Sequence, residues 1–300
     1  MKRLINRLIQ LVITLIGVSF LTFCLTYLSP GDPAAMVLEA SDTIVSQEVI
    51  EQTREEMGLN DPFLVQYGNW LLGVVQGDMG ISYSTKKPVM EKLMEGFAGT
   101  VLLALTTIIL IMVISIPLGI FSATHRNKIP DFLVRIFSFI GVSIPSFWVG
   151  LILLYIFGLK LGLVPIATAK VSFSGLILPA LTLAIYQSAK YTRQVRTVIL
   201  DELHQDYVIG ARARGLSEKA ILWKHILPNA ILPLITLLGM SIGWLLGGVA
   251  VIETVFSWPG IGKMAVQAIT MRDYPLIEGI VLWIATAYTV INFLVDLSYS

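Results

Sequence analysis

Residues 96–124 read GFAGTVLLALTTIILIMVISIPLGIFSAT, a run without a single Asp, Glu, Lys or Arg. A bilayer core of ~30 Å takes about 20 apolar helical residues, so this run can cross one. Five more charge-free gaps lie around it: Leu8 to Pro30, Ile136 to Leu159, Val171 to Ala189, Ile226 to Ile252 and Gly279 to Val295. The last is short, and Leu276, Ile277 and Leu297 extend its apolar character. The reading is six transmembrane helices in an all-α polytopic membrane protein.

Composition agrees. The chain has 300 residues, 55% hydrophobic and 14% charged, with mean hydropathy +0.78. Soluble domains carry about 25% charged residues. A net charge of +1 excludes a strongly basic nucleic-acid binder and a large acidic tail. Cys24 is the single cysteine, which excludes an internal disulfide framework and a cysteine-based metal site. The first gap is preceded by Lys2, Arg3 and Arg7, as a secretory signal would be. Its apolar stretch is too long for one, and no small-x-small cleavage site follows. It is read as a retained helix, residues 1–30.

Basic residues orient the spans, since Lys and Arg gather in cytoplasmic loops. With the amino terminus inside, segments 1–7, 125–135 and 190–225 hold 13 of the 21 Lys and Arg. The longer outer segments 29–95, 160–170 and 253–278 hold 8. Both termini are therefore expected in the cytoplasm. Segment 29–95 also carries 11 of the 20 acidic residues. Within it Ser46 is placed to cap a helix ending at Gly58, and Phe63, Leu64, Tyr67, Leu71 and Val75 recur at helical spacing. Gly77-Asp78-Met79-Gly80 reads as a turn, and Pro88 suits the first turn of the next helix. The expectation is an acidic extracellular helical cap over 31–95, either plain packing or a docking surface for an external partner. Residues 96–300 form the transmembrane core.

The inner segment 190–225 carries the densest pattern. Lys190, Arg193 and Arg196 follow at intervals of three, as anchors that snorkel from a helix end. Then comes QDYVIGARARGLSE, residues 205–218. Tyr207, Ala211 and Arg214 share a face, Gly215 is placed to end a short helix between two spans, and Ser217 can cap the next. Its small residues, Gly210, Ala211 and Ala213, suit close docking into a groove of another protein.

Here the sequence resembles the permease subunits of ABC importers. Gly215 followed by Leu227-Pro228 fills the places of their cytoplasmic coupling loop. The usual Glu-Ala-Ala opening is replaced by Ile209-Gly210-Ala211, a departure shared by the peptide/nickel branch. That branch's fuller pattern is present in Asp206-Tyr207-Val208, Ala211-Arg212-Ala213-Arg214-Gly215-Leu216-Ser217-Glu218, Leu232-Pro233, Gly247-Gly248, Ile252-Glu253, 256–262 (FSWPGIG) and Arg272-Asp273-Tyr274-Pro275. Upstream, Pro30-Gly31-Asp32-Pro33, 58–62 (GLNDP), Val65-Gln66-Tyr67 and Gly77-Asp78-Met79-Gly80 match it too. The combination covers essentially the whole chain and is specific, although no single motif is. Members of the branch end in a short tail containing Asp-Pro-Arg, whereas this sequence stops at Tyr299-Ser300. The expectation is a tail that is absent or removed.

The resemblance implies a MetI-like permease core. It implies a second homologous permease, two ABC ATPase subunits docked on the coupling loop, and an extracytoplasmic substrate-binding protein, all at the lipid bilayer of a bacterial or archaeal cell. Asp206, Tyr207 and Ala211 through Glu218 would carry the coupling. No cofactor is implied on this chain, and ATP and Mg²⁺ would sit on the ATPases. Among branch members, segments 66–70 (QYGNW), 125–132 (HRNKIPDF) and 141–148 (GVSIPSFW) look most like the nickel permeases. Nickel, as a chelate, is the expected cargo, with di- or oligopeptides or a metallophore complex as the alternative.

No catalytic or metal set is found. Residues 258–264 (WPGIGKM) lack the first glycine and the Ser or Thr of a phosphate loop. His125, His204 and His225 have no metal-ligand spacing. Gly239, Gly243 and Gly247 recur at four-residue steps, as where helices approach closely. Met240, Ser241 and Trp244 among them are read as candidate pathway residues. Pro117, Pro145, Pro179 and Pro233 interrupt four spans. The span interiors read as free of charge, whereas ion-coupled carriers place ionisable groups there. That weighs against the rival class, a self-sufficient channel or carrier. A scaffold or receptor that binds through its cap without transport is a third reading.

Overall fold

The computed structural model describes residues 2–39, 46–168 and 170–297, with side chains described outside 2–8, 238, 240, 242–244, 246–248 and 295–297. The described chain is helical: α1 (Lys2–Tyr27), α2 (Pro33–Glu39), α3 (Gln47–Glu56), α4 (Phe63–Val75), α5 (Val89–Thr124), α6 (Ile129–Ser143), α7 (Ser146–Leu153), α8 (Phe173–Leu203), α9 (Asp206–Ala213), α10 (Glu218–Ile221), α11 (Leu227–Gly248), α12 (Ala250–Val255), α13 (Ile261–Met271) and α14 (Tyr274–Leu297). The β pairing found among the described residues is an isolated antiparallel bridge between Ile81 and Pro88.

Two compact units share the chain. One comprises Met1–Thr100 and Pro259–Phe293, the other Val101–Trp258 and Leu294–Ser300. In the first, α1 and α4 meet through aromatic edges. Phe20 and Phe23 pack on Phe63 and Tyr67 with ring centroids 5.3–5.7 Å apart, and Phe23 also reaches Trp70. Such contacts contribute about 0.5–1.5 kcal/mol each beyond area burial. Only part of the stripe expected along 63–75 is used, since Leu64 and Val75 stay exposed. Ser46 does sit at the start of α3, but its side chain makes no capping bond. Val89, Leu93, Ile261, Leu276 and Ile280 form this unit's core.

In the second unit α8 is the centre. A buried face runs along it from Gly175 to Ile199. Gly141 of α6 meets this face where an added Cβ would lie 2.5 Å from the Cβ of Ala189. Only a residue without a side chain fits that crossing. Leu103, Leu178, Leu183, Leu245, Ile252 and Trp258 make one core cluster, and Val195, Ile199, Val208, Ala211, Ile221 and Ile226 another.

Among the described residues, four helical runs are long and apolar enough to cross a membrane: Ile9–Tyr27, Val89–Thr124, Glu218–Leu237 and Tyr274–Leu294. The expected span 136–159 is not straight. Its helices, Ile129–Ser143 and Ser146–Lys160, meet at a bend of 96°, as a broken span or a re-entrant loop. Pro145 explains the break, because it disfavours helical geometry at Ile144 and cannot donate to the preceding turn. Past Leu153 this helix continues in wider π turns to Lys160. The expected span 171–189 falls in α8, which is long but more polar than the four apolar runs. Thr182, Gln187 and Ser188 lower its hydropathy, and all three are buried within the chain rather than turned outward. A helix enclosed by protein does not need an apolar surface all round.

Candidate functional site

The loop between α8 and α11 is built by local rules. Gln205 opens α9 in extended geometry, and Asp206 stands in the first turn, where the helix dipole favours a negative charge. The helix ends in a Schellman motif. Gly215 N–H donates to the Arg212 carbonyl at 2.9 Å, and Leu216 N–H to the Ala211 carbonyl at 3.2 Å. Gly215 has φ +78° and open space where a Cβ would be, so glycine is needed there for conformation alone. Ser217 then caps α10, its hydroxyl accepting from Ala220 N–H at 3.3 Å. Wider π turns over Leu222–Ile226 lead into α11.

Two faces of α9 do different things. Val208 and Ala211 are fully buried against Ile199, Ile221 and Ile226. Tyr207 leans inward and donates to a Glu202 carboxylate oxygen at 2.5 Å. Burial, helped by Glu202, holds this phenol above its ordinary pKa. Asp206, Gly210, Arg212, Ala213, Arg214, Gly215, Leu216, Ser217 and Glu218 are exposed. Arg212 donates to both oxygens of Glu218, at 2.7 and 3.1 Å, and bridges α9 to α10. Both are solvated, so the pair orients the loop more than it stabilises it. The expected face of Tyr207, Ala211 and Arg214 is therefore split. Ala211 is committed to internal packing, and the small surface open for docking is Gly210 and Ala213.

The basic anchors divide as well. Lys190 and Arg193 are exposed. Arg196 does more than snorkel, for its guanidinium donates to both oxygens of Asp131 at 2.8 and 2.9 Å. Asp131 is fully buried and also accepts from Ser122 Oγ at 2.5 Å and Asn127 N–H at 3.0 Å. This bidentate pair ties the start of α6 to α8, below the loop.

Of the pathway candidates, Ser241 lies on the buried face of α11 with Leu234, Leu245 and Val249. Its hydroxyl donates to the Leu237 carbonyl at 3.2 Å. Ser241 is thus almost wholly buried among the described residues. Gly239 is also buried. Met240, Gly243, Trp244 and Gly247 have side-chain positions outside the described residues.

The helical order, the bent third span and the α9 loop invite comparison with known transporters. Residues 115–300 match the family described as binding-protein-dependent transport system inner membrane component, and residues 1–106 match its N-terminal companion. The chain belongs to this family. It is 36% identical over 296 residues to the glutathione transport system permease protein GsiC of Escherichia coli K12, covering 99% of this chain and 95% of that protein. It is 40% identical over 307 residues to the oligopeptide transport system permease protein AppB of Bacillus subtilis, covering 99% and 96%. A solved structure of the MetNI methionine ABC transporter in an inward-facing conformation aligns with TM-score 0.56 and 21% identity, over 69% of this chain and 94% of that one. That likeness establishes the MetI-like fold. The permease is thus a multi-pass inner-membrane subunit of an ABC importer and not an enzyme.

Four carboxylates are buried among the described residues, and the sequence marks none of them as such: Asp131, Glu253, Asp273 and Glu278. Asp131 stands in a basic inner segment, and Glu253 and Asp273 stand within longer motifs. Glu278 borders the last charge-free run, yet it lies a turn inside α14 and is 6% exposed. A run of apolar residues broken by one acid was the available signal, and it reads equally as a span end.

Proposed function

We propose that this permease imports short peptides, driven by two ATPase subunits that dock on the α9 loop. The observation that carries the reading is the exposed small-residue end of α9, held by the buried Val208 and Ala211, in a chain similar over its full length to glutathione and oligopeptide permeases. An extracytoplasmic binding protein completes the assembly, in keeping with the family description, and a second permease pairs with this one. The excess of Lys and Arg in 1–7, 125–135 and 190–225 supports a cytoplasmic side for these segments and both termini. Residues 31–95 then face outward as a cap that meets the binding protein, ahead of the transmembrane core 96–300. Closure of the ATPases on ATP and Mg²⁺ moves α9, and the spans rock between inward and outward states.

Nickel, as a chelate, is the second reading. It rests on segments 66–70, 125–132 and 141–148. The described residues hold no group of three or more His, Cys, Asp or Glu able to bind a metal ion, so a nickel cargo would have to be recognised through its chelator. Uptake by the assembled transporter in proteoliposomes separates the two. ATP-dependent accumulation of labelled di- and tripeptides, unaffected by chelated nickel, is expected. Accumulation of radioactive nickel without peptide uptake would overturn the peptide reading, and transport without any ATPase subunit would overturn the importer mechanism.

A further inference from the structure

The first unit contains a cavity of about 640 Å³, walled by α1, α3, α4, the turn after α4 and the start of α14. Its size is that of a small-molecule site. Three carboxyl groups and one guanidinium line it: Asp32, Asp61, Glu278 and Arg54. Arg54 is matched by Asp32 at 2.6 Å. Asp61 and Glu278 supply the remaining carboxyl groups of the wall.

Glu278 is the unusual one. It belongs to a membrane-spanning helix and is 6% exposed. One carboxylate oxygen accepts from Thr26 Oγ1 at 2.5 Å. No basic side chain pairs with this carboxylate among the described residues. A buried carboxylate without a cation is costly, and such groups inside a membrane domain mark ligand or ion sites. The rest of the wall suits a cation too. Phe23, Tyr27, Trp70, Tyr83 and Tyr274 all line the cavity, and aromatic faces attract ammonium groups. Tyr83 reports the local potential: burial first, then the charges of Glu278 and Asp273, hold its phenol above the ordinary pKa.

We propose that this cavity binds a primary ammonium group at Glu278, with the aromatic wall around it. Two sources carry that chemistry: the free amino terminus of a peptide cargo, and the headgroup of an amine-bearing phospholipid. The inference rests on the peptide reading only for the first source.

The test uses the purified full chain in nanodiscs. One arm titrates labelled trialanine against N-acetyl-trialanine in phosphatidylglycerol discs. The other compares thermal unfolding in discs with and without phosphatidylethanolamine. Cargo as the source predicts binding of trialanine that is weakened roughly tenfold or more by acetylation and by Glu278→Gln, as befits one charge-assisted hydrogen bond. Lipid as the source predicts stabilisation by phosphatidylethanolamine that Glu278→Gln removes. Trp70→Phe, which keeps the ring, should retain most of either effect, and serves if Glu278→Gln does not fold. With that variant or the natural chain, acetylated and free peptides binding alike, together with no response to the amine lipid, would overturn the site. ATP-driven peptide uptake that persists in that case would leave the peptide reading standing. Amine-lipid dependence without peptide uptake would sink that reading and keep the site.

Discussion

Asp273 and Ser82 are 191 positions apart in sequence and joined by a 2.6 Å hydrogen bond in the protein interior. Asp273 is the hub of a larger set. It also accepts from Ser84 Oγ at 2.7 Å and from the backbone N–H groups of Tyr83 and Ser84 at 3.0 Å. On its own side it faces Leu276 N–H in the first turn of α14. One carboxylate therefore fixes the loop before α5 to the head of the last span.

Asp273→Ala should be strongly destabilising. It strands several buried donors, and each one left unsatisfied costs about 1–3 kcal/mol. Thermal unfolding in detergent should show a large fall in Tm, with Asp273→Asn intermediate. An unchanged Tm for the alanine variant would mean that the loop is held by other contacts.

The Asp131–Arg196 pair should behave as a unit. Asp131→Ala leaves a half-buried guanidinium unpaired, with an expected loss of about 3–5 kcal/mol. Asp131→Leu with Arg196→Met removes both charges and should recover much of that loss. A double-mutant cycle on unfolding measures the coupling. Simple additivity would show that the two groups do not support each other.

Gly215→Val should fold yet fail in transport. No atom obstructs a Cβ there, so the cost is the positive φ, about 1–2 kcal/mol for a residue with a side chain. The Schellman turn would reopen and the end of α9 would move. Peptide uptake by the assembled complex should collapse, while Gly215→Asn, which tolerates this geometry, should keep part of it. Normal uptake by the valine variant would remove α9 from the coupling role.

Ala211 and Ala213 offer a sharper contrast two residues apart. Ala211→Leu overfills a closed cluster and should cost about 1–3 kcal/mol. Ala213→Leu adds bulk on the exposed side and should leave Tm unchanged while weakening co-purification with the ATPases. The reverse pattern would show that the docking face has been assigned to the wrong side.

Tyr83 gives a pH signature. Its phenol is raised in the folded state, so the stabilisation it brings is complete below the unfolded pKa of about 10 and is lost as pH climbs past it. Tyr83→Phe should abolish that part of the alkaline loss. Matching unfolding curves for both proteins between pH 9 and 12 would argue against a buried phenol.

Helical class and most span positions were legible because they follow from local physics. The charge-free run at 96–124 falls within α5, and the run at 226–252 contains α11. The turn at Gly215 was legible for the same reason, since a positive φ selects glycine wherever it occurs. The bend at Pro145 was signalled as an interruption, but its angle of 96° depends on what α7 packs against. Gly150, for example, sits where a Cβ would come within 3.1 Å of the Phe256 ring and 3.2 Å of the Thr182 methyl.

The sequence by itself determined that the chain enters a membrane, where its helices run, and that α9 stops at Gly215. Each depends on a residue and its near neighbours, through partition into lipid or backbone sterics. Only the tertiary structure decided that Arg196 serves Asp131, that Ala211 faces in while Ala213 faces out, and that Glu278 opens onto a cavity beside Thr26. A charge can be buried only where distant segments supply its partners, and 252 positions separate Glu278 from Thr26. No local pattern records that distance, because packing alone closes it.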